Sequence, residues 1–189
     1  MSLFPSTDWS GTCGFRLYPT DEFSSGPSSA RLTPVAGGAA LALDYTWVHP
    51  EQGECAGHLV IGRPGDAGRV TASFTDDFHQ ASEIHVLQGV VAEELGAPTH
   101  APAGATPWLG GAGEADADSM ASDPIGTHPI SGEGVAVEME YSGWGWTIAV
   151  RLRGGTLAMV MQNVIPQGVE GAEPGAYDVM RAVWTRTDG

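Results

Sequence analysis

Leu41-Ala42-Leu43-Asp44-Tyr45-Thr46-Trp47-Val48-His49 is the stretch whose reading decides the fold. Leu41, Leu43, Tyr45, Trp47 and His49 share one parity, and Ala42, Asp44, Thr46 and Val48 the other. That period of two is the mark of a β-strand with one face turned inward. A Pro-Glu-Gln-Gly turn follows, then Cys55-Ala56-Gly57-His58-Leu59-Val60-Ile61. After Gly65-Asp66-Ala67-Gly68 comes a third alternating run, Val70 to His79. Alternation broken at each step by Gly, Pro and Asp reads as antiparallel hairpins.

The same reading extends outward along the chain. A first strand is expected over 9–17, and a second over 30–35, where Pro34 argues for a sheet edge or a bulge. Further strands are expected near 83–91, 135–141, 146–153, 156–164 and 177–186, with no long amphipathic helix anywhere. About ten strands in one antiparallel sheet would leave unpaired edges, and closure removes them. The expected fold is all-β, a single closed antiparallel up-and-down barrel forming one domain over 1–189. A chain of 189 residues, 42% hydrophobic, can bury the core this needs.

Residues 92–133 break the pattern. They are rich in Ala, Gly, Pro and acidic groups, as in Gly110-Gly111-Ala112-Gly113-Glu114-Ala115-Asp116. An irregular loop of this length is uncommon inside a compact domain. It is read as an insertion, most mobile over 96–133, either a passive surface loop or a lid anchored by Trp108 and Leu109 at a barrel mouth. A short helical turn is expected within 119–125.

The net charge of −15 disfavours nucleic acids and anionic membranes. All eight basic residues are Arg, so no lysine is present for Schiff-base chemistry or a Walker-type phosphate loop. No apolar run is long enough to span a bilayer. The N-terminus lacks the charged-then-apolar pattern of a secretory signal, and a cytoplasmic setting is expected. Cys13 and Cys55 form no metal-binding pair and read as buried free thiols. No HxH, HExxH or GxSxG pattern occurs, so neither a metal nor a serine nucleophile is expected.

Several stretches resemble a bacterial family of unknown function, DUF1579-like, with a calycin-type barrel. They are Trp9-Ser10-Gly11-Thr12-Cys13-Gly14-Phe15-Arg16-Leu17, Tyr45-Thr46-Trp47-Val48-His49-Pro50 and Thr75-Asp76-Asp77-Phe78-His79-Gln80. Trp144-Gly145-Trp146-Thr147-Ile148 and Met161-Gln162-Asn163-Val164-Ile165-Pro166 complete the set. At Asp77 and Phe78 the family pattern has Ser and Trp. The resemblance implies a lipocalin-like or fatty-acid-binding-protein-like shape and no particular reaction. Related barrels that bind haem use a histidine near the C-terminus; no His follows His128 here, so no cofactor is expected.

Parity then selects the candidate site. Val70, Ala72, Phe74, Asp76 and Phe78 share the inward face, which places a carboxylate among apolar groups, where it needs a partner. Arg181 is the expected partner, with Arg16 behind it, since inward Arg and Tyr hold a ligand carboxylate in fatty-acid-binding proteins. Asp77 and His79 share the outer face if the strand runs on, as a surface pair or a rim site. The Trp residues read as core and end plug, or as stacking surfaces.

The primary expectation is a binding barrel for a small apolar or amphipathic molecule, lined by Tyr45, Trp47, Asp76, Trp146, Asn163 and Arg181. An alternative is a cofactor-free enzyme using Asp76 or His79 as acid and base. A third is a non-catalytic oligomer, a homodimer through Val135, Val137, Met139 and Trp184 if those residues lie outside.

Overall fold

The computed structural model describes residues 6–79, 83–92, 134–153 and 155–187. They form ten strands: β1 (Thr7–Phe15), β2 (Ser24–Val35), β3 (Ala40–His49), β4 (Gly53–Gly62), β5 (Arg69–Asp76), β6 (His85–Ala92), β7 (Gly134–Tyr141), β8 (Trp144–Arg153), β9 (Thr156–Ile165) and β10 (Gly175–Arg186). Each strand pairs antiparallel with its sequence neighbours, and β1 pairs with β10 to close the barrel. Two 3-10 turns, Ala36–Gly38 and Asp66–Gly68, are the only helical pieces among the described residues. None of these is long and apolar enough to cross a membrane. Most of the 92–133 insertion, with Trp108, Leu109, His100, His128 and the 119–125 turn, lies outside the described residues.

Turn chemistry fixes the register. Ser142 and Gly143 have φ of 52° and 81°, and Tyr141 pairs directly with Trp144. That is the mirror-image two-residue turn whose twist suits a tight hairpin.

β2 is longer than expected and is not an edge. Pro27 lies opposite Thr12 of β1, but pairing of β2 with β3 begins only at Ala30. Pro34 lies opposite Leu41 of β3, beyond Leu32, where pairing with β1 ends. Each proline thus sits where β2 has one partner strand rather than two, so a missing N–H is tolerated without a bulge.

Leu43, Leu59, Phe74, Leu87, Ile148, Met159, Met161, Met180 and Trp184 are fully buried. Their complete burial makes them the middle of the barrel core. Trp184 Nε1 donates to Ser28 Oγ at 2.7 Å, which keeps the indole satisfied inside.

Two expectations of facing are corrected. Val137 and Trp184 are buried, and Val135 and Met139 pack against the core, so these four form no outer patch. The exposed apolar residues are instead Ile84, Val86 and Val90 at β6, with Leu152 and a few others. On β8 and β9 the alternation fails, because the outward Thr147, Ala149, Arg151, Ala158, Val160 and Gln162 are buried too.

Candidate functional site

β5 ends at Asp76, and residues 77–79 bend away from the strand path. Asp76 holds that bend together. Its Oδ1 accepts the backbone N–H of Phe78 at 3.2 Å and of His79 at 2.5 Å. Its Oδ2 lies 2.6 Å from His79 Nδ1. An Asp that accepts bonds from the following backbone is a common turn former. Here the turn folds the His79 ring back over the barrel end.

Parity counting along an unbroken strand therefore mispairs these residues. His79 belongs with Asp76, whose side chain is wholly buried, and not with Asp77. Asp77 is exposed and instead clamps β4, its Oδ1 accepting from Ala56 N–H at 2.9 Å and its own N–H donating to Ala56 O at 3.1 Å.

Aromatic rings surround His79. It stacks on Trp47 at 6.0 Å between centroids and leans on Trp146 at 5.1 Å. Phe78 lies edge-on to it at 4.8 Å, and Phe15 is 5.7 Å away. Phe78 also packs on Phe15, Trp47 and His49, at 5.4, 5.5 and 4.5 Å. His49 Nδ1 accepts the N–H groups of Glu51 and Gln52, which spends it on the β3–β4 turn.

Four polar atoms of this region are buried with no hydrogen-bond partner among the described residues. They are His79 Nε2, Trp47 Nε1, Trp146 Nε1 and, deeper in the barrel, Tyr45 Oη. Burial first, and then the nearby Asp76 carboxylate, raises the Tyr45 phenol well above its usual pKa. Tyr45 fits because Gly57 stands opposite it on β4: a Cβ there would lie 2.1 Å from the Tyr45 hydroxyl.

The expected site residues separate into three groups. Trp47, Asp76 and Trp146 meet around His79, and Tyr45 lies on the same inner face below them. Asn163 is opposite Trp146 on β9, half-buried, and its Nδ2 is 3.3 Å from Tyr177 Oη. Arg181 is not part of the site. A register shift between Asp178 and Met180 reverses the parity of β10 beyond it. Arg181 consequently faces outward and binds Asp178, with Nε 2.5 Å from Oδ2. Arg16 is spent on the carbonyls of Asp178 and Pro19. Asp76 thus pairs with His79.

Among the described residues no group of His, Cys, Asp and Glu has the arrangement of a metal site. His58 pairs with Asp44 on the outer wall at 2.6 Å, and His85 with Glu83 at 3.3 Å. Cys13 and Cys55 are free and buried, and burial pushes the Cys13 thiol up to about 12.

A second feature is an open trough of about 900 Å³ along the outer wall of β1 to β5. The exposed pairs Asp8–Arg31 and Asp44–His58 line it, while Trp47, His79 and Trp146 do not. Tyr45, Asp76 and Asp77 line it as well, with Asp76 bound to His79 and Asp77 to the Ala56 N–H. Arg151, which the residue pattern did not single out, is buried on the outer wall with Nε and Nη2 lacking partners among the described residues; burial lowers its pKa. No family model matches this chain, and no curated protein matches it.

Proposed function

We propose that the barrel binds a small apolar or amphipathic molecule at the end ringed by Phe15, Trp47, Phe78 and Trp146, with its polar end on His79. One observation carries this reading: His79 Nε2, Trp47 Nε1 and Trp146 Nε1, on adjoining rings, are buried without partners. Each such atom costs about 1–3 kcal/mol in a folded protein. Phe in place of either Trp would avoid that cost in a barrel that only had to pack. Unspent polar groups within an apolar lining are instead what a ligand site provides. Because the middle layer is packed, the guest is received at the end, and the half-buried Phe78 ring is what it displaces. Kinship with the DUF1579-like family, and with calycin barrels, belongs to this proposal.

Native mass spectrometry of the protein purified from its own host tests the reading. A small molecule released on activation is expected from the wild type and not from Phe78→Trp, which enlarges the plug. Bare protein in both preparations would overturn it.

A second reading is favoured by the 2.6 Å contact of Asp76 with His79. Asp-oriented imidazole is the common form of a general base, so a cofactor-free acid–base enzyme is the alternative.

A further inference from the structure

We infer that the guest of the His79 site is a phenol, an aromatic ring whose hydroxyl meets His79 Nε2; this rests on the ligand-binding reading above. Asp76 already accepts two backbone N–H groups on Oδ1, and its Oδ2 faces Nδ1 of His79. A carboxylate only accepts, so Nδ1 carries the proton and the neutral ring turns a lone pair outward at Nε2. The carboxylate behind the ring holds it in that orientation. The indoles of Trp47 and Trp146 are donors only.

The three touching rings thus carry one unspent acceptor and two unspent donors. A phenolic hydroxyl is the complement: its O–H donates to Nε2, and lone pairs on the same oxygen accept from indole N–H. An ammonium group would oppose those N–H groups. A carboxylate would enter without a cation, because Arg181 is turned out to Asp178 and Arg16 is held by carbonyls. The rings of Phe15, Trp47 and Trp146 suit a flat aromatic body in the place of the Phe78 ring, through offset or edge-on contact.

Proton transfer balances within the site. The O–H bond of the phenol breaks and an N–H bond forms at Nε2. Phenolate is left among the aromatic rings, and imidazolium is left beside the Asp76 carboxylate. The other ionisable groups near this end are Cys13 on β1, Tyr45 and His49 on β3, Cys55 on β4 and the exposed Asp77. His49 is committed to its own turn, and burial raises the pKa of Cys13, Tyr45 and Cys55, so they stay protonated through neutral pH.

The probes are 4-nitrophenol, whose absorption changes on ionisation, and 4-nitroanisole, the same body with the hydroxyl methylated. The wild type is expected to bind nitrophenol about tenfold or more tightly than nitroanisole, the value of one charge-assisted hydrogen bond. Bound nitrophenol is expected to absorb as phenolate where the free probe is still largely neutral. Asp76→Asn should return the bound probe to the neutral form, and His79→Phe should erase the preference. Circular dichroism verifies that each variant is folded, and Phe78→Ala, which leaves the dyad intact, serves as a second background with easier entry. Equal binding of the two probes to wild type and Phe78→Ala would overturn the phenol assignment and leave ligand binding standing. Binding of neither probe to either protein would overturn both.

Discussion

Asp76 and His79 are three residues apart in sequence, and their side chains meet at 2.6 Å inside the barrel end. The contact exists because Asp76 is the last residue of β5 and its carboxylate also caps the turn that follows. One side chain therefore shapes the turn and orients the imidazole. The site is a by-product of how the strand ends.

Asp76→Ala should destabilise the protein more than His79→Ala does. It strands three donors: the N–H groups of Phe78 and His79 and the Nδ1 of His79. At about 1–3 kcal/mol for each unsatisfied donor, a loss of roughly 3 kcal/mol or more is expected. Urea midpoints of the two variants, compared at neutral pH, measure it. Equal losses would mean that the turn does not depend on the carboxylate.

Much of this architecture is legible in the chain because strand alternation and turn residues recur along most of it. Leu43, Tyr45 and Trp47 fall inward as their parity requires. What escaped the sequence was local and had a physical cause. Parity can be extended only while the strand continues, and β5 stops at Asp76, which moved His79 from the surface to the interior. The irregular register at Asp178/Met180 does the same to Arg181 in the opposite direction. Neither a strand end nor a bulge has a residue signature strong enough to be read without its partner strand. The double burial on β8 and β9 was likewise invisible to a rule that assumes one wet face.

Gly57→Ala should be strongly destabilising although Gly57 lies in a strand and not in a turn. Its new Cβ would fall 2.1 Å from the Tyr45 hydroxyl and 2.2 Å from the ring carbon that bears it, so the buried ring must move. Overpacking of this kind costs about 1–3 kcal/mol. Tyr45→Leu in the same chain should recover part of the loss, because the two residues are in contact and their effects do not add. A thermal melt of the two single variants and the double variant tests the coupling; strict additivity would contradict it.

Cys13 should make stability fall in alkali. Burial raises its thiol from the ordinary 9.0 to about 12. The unfolded chain therefore loses this proton at lower pH than the folded one. Stability from the group is complete below about pH 9 and is lost as pH rises toward 12, by about 1.4 kcal/mol for each pH unit in between. Cys13→Ala removes that slope. The wild type should be the more stable of the two at pH 8, where the variant carries a cavity, and the gap should narrow above pH 9. A gap that stays constant through this window would show that the thiol ionises normally.

Arg151→Met should raise the urea midpoint. The guanidinium is buried on the outer wall, Nε and Nη2 have no partner among the described residues, and its charged form is disfavoured there. Replacing such a charge by an apolar side chain of similar length removes a desolvation penalty and keeps the packing. Gly134, opposite Arg151 on β7, leaves space for the long side chain, so the substitution introduces no clash there. A lower midpoint would mean that the charge is stabilising where it sits.

The most direct measurement of the central claim is the side-chain nitrogen spectrum of His79 in 15N-labelled protein, with and without 4-nitrophenol. The account predicts a protonated Nδ1 and an unprotonated Nε2 in the free protein, and a change confined mainly to Nε2 when the phenol binds. A free protein with the proton on Nε2, or an Nε2 signal that does not respond to bound phenol, would contradict it.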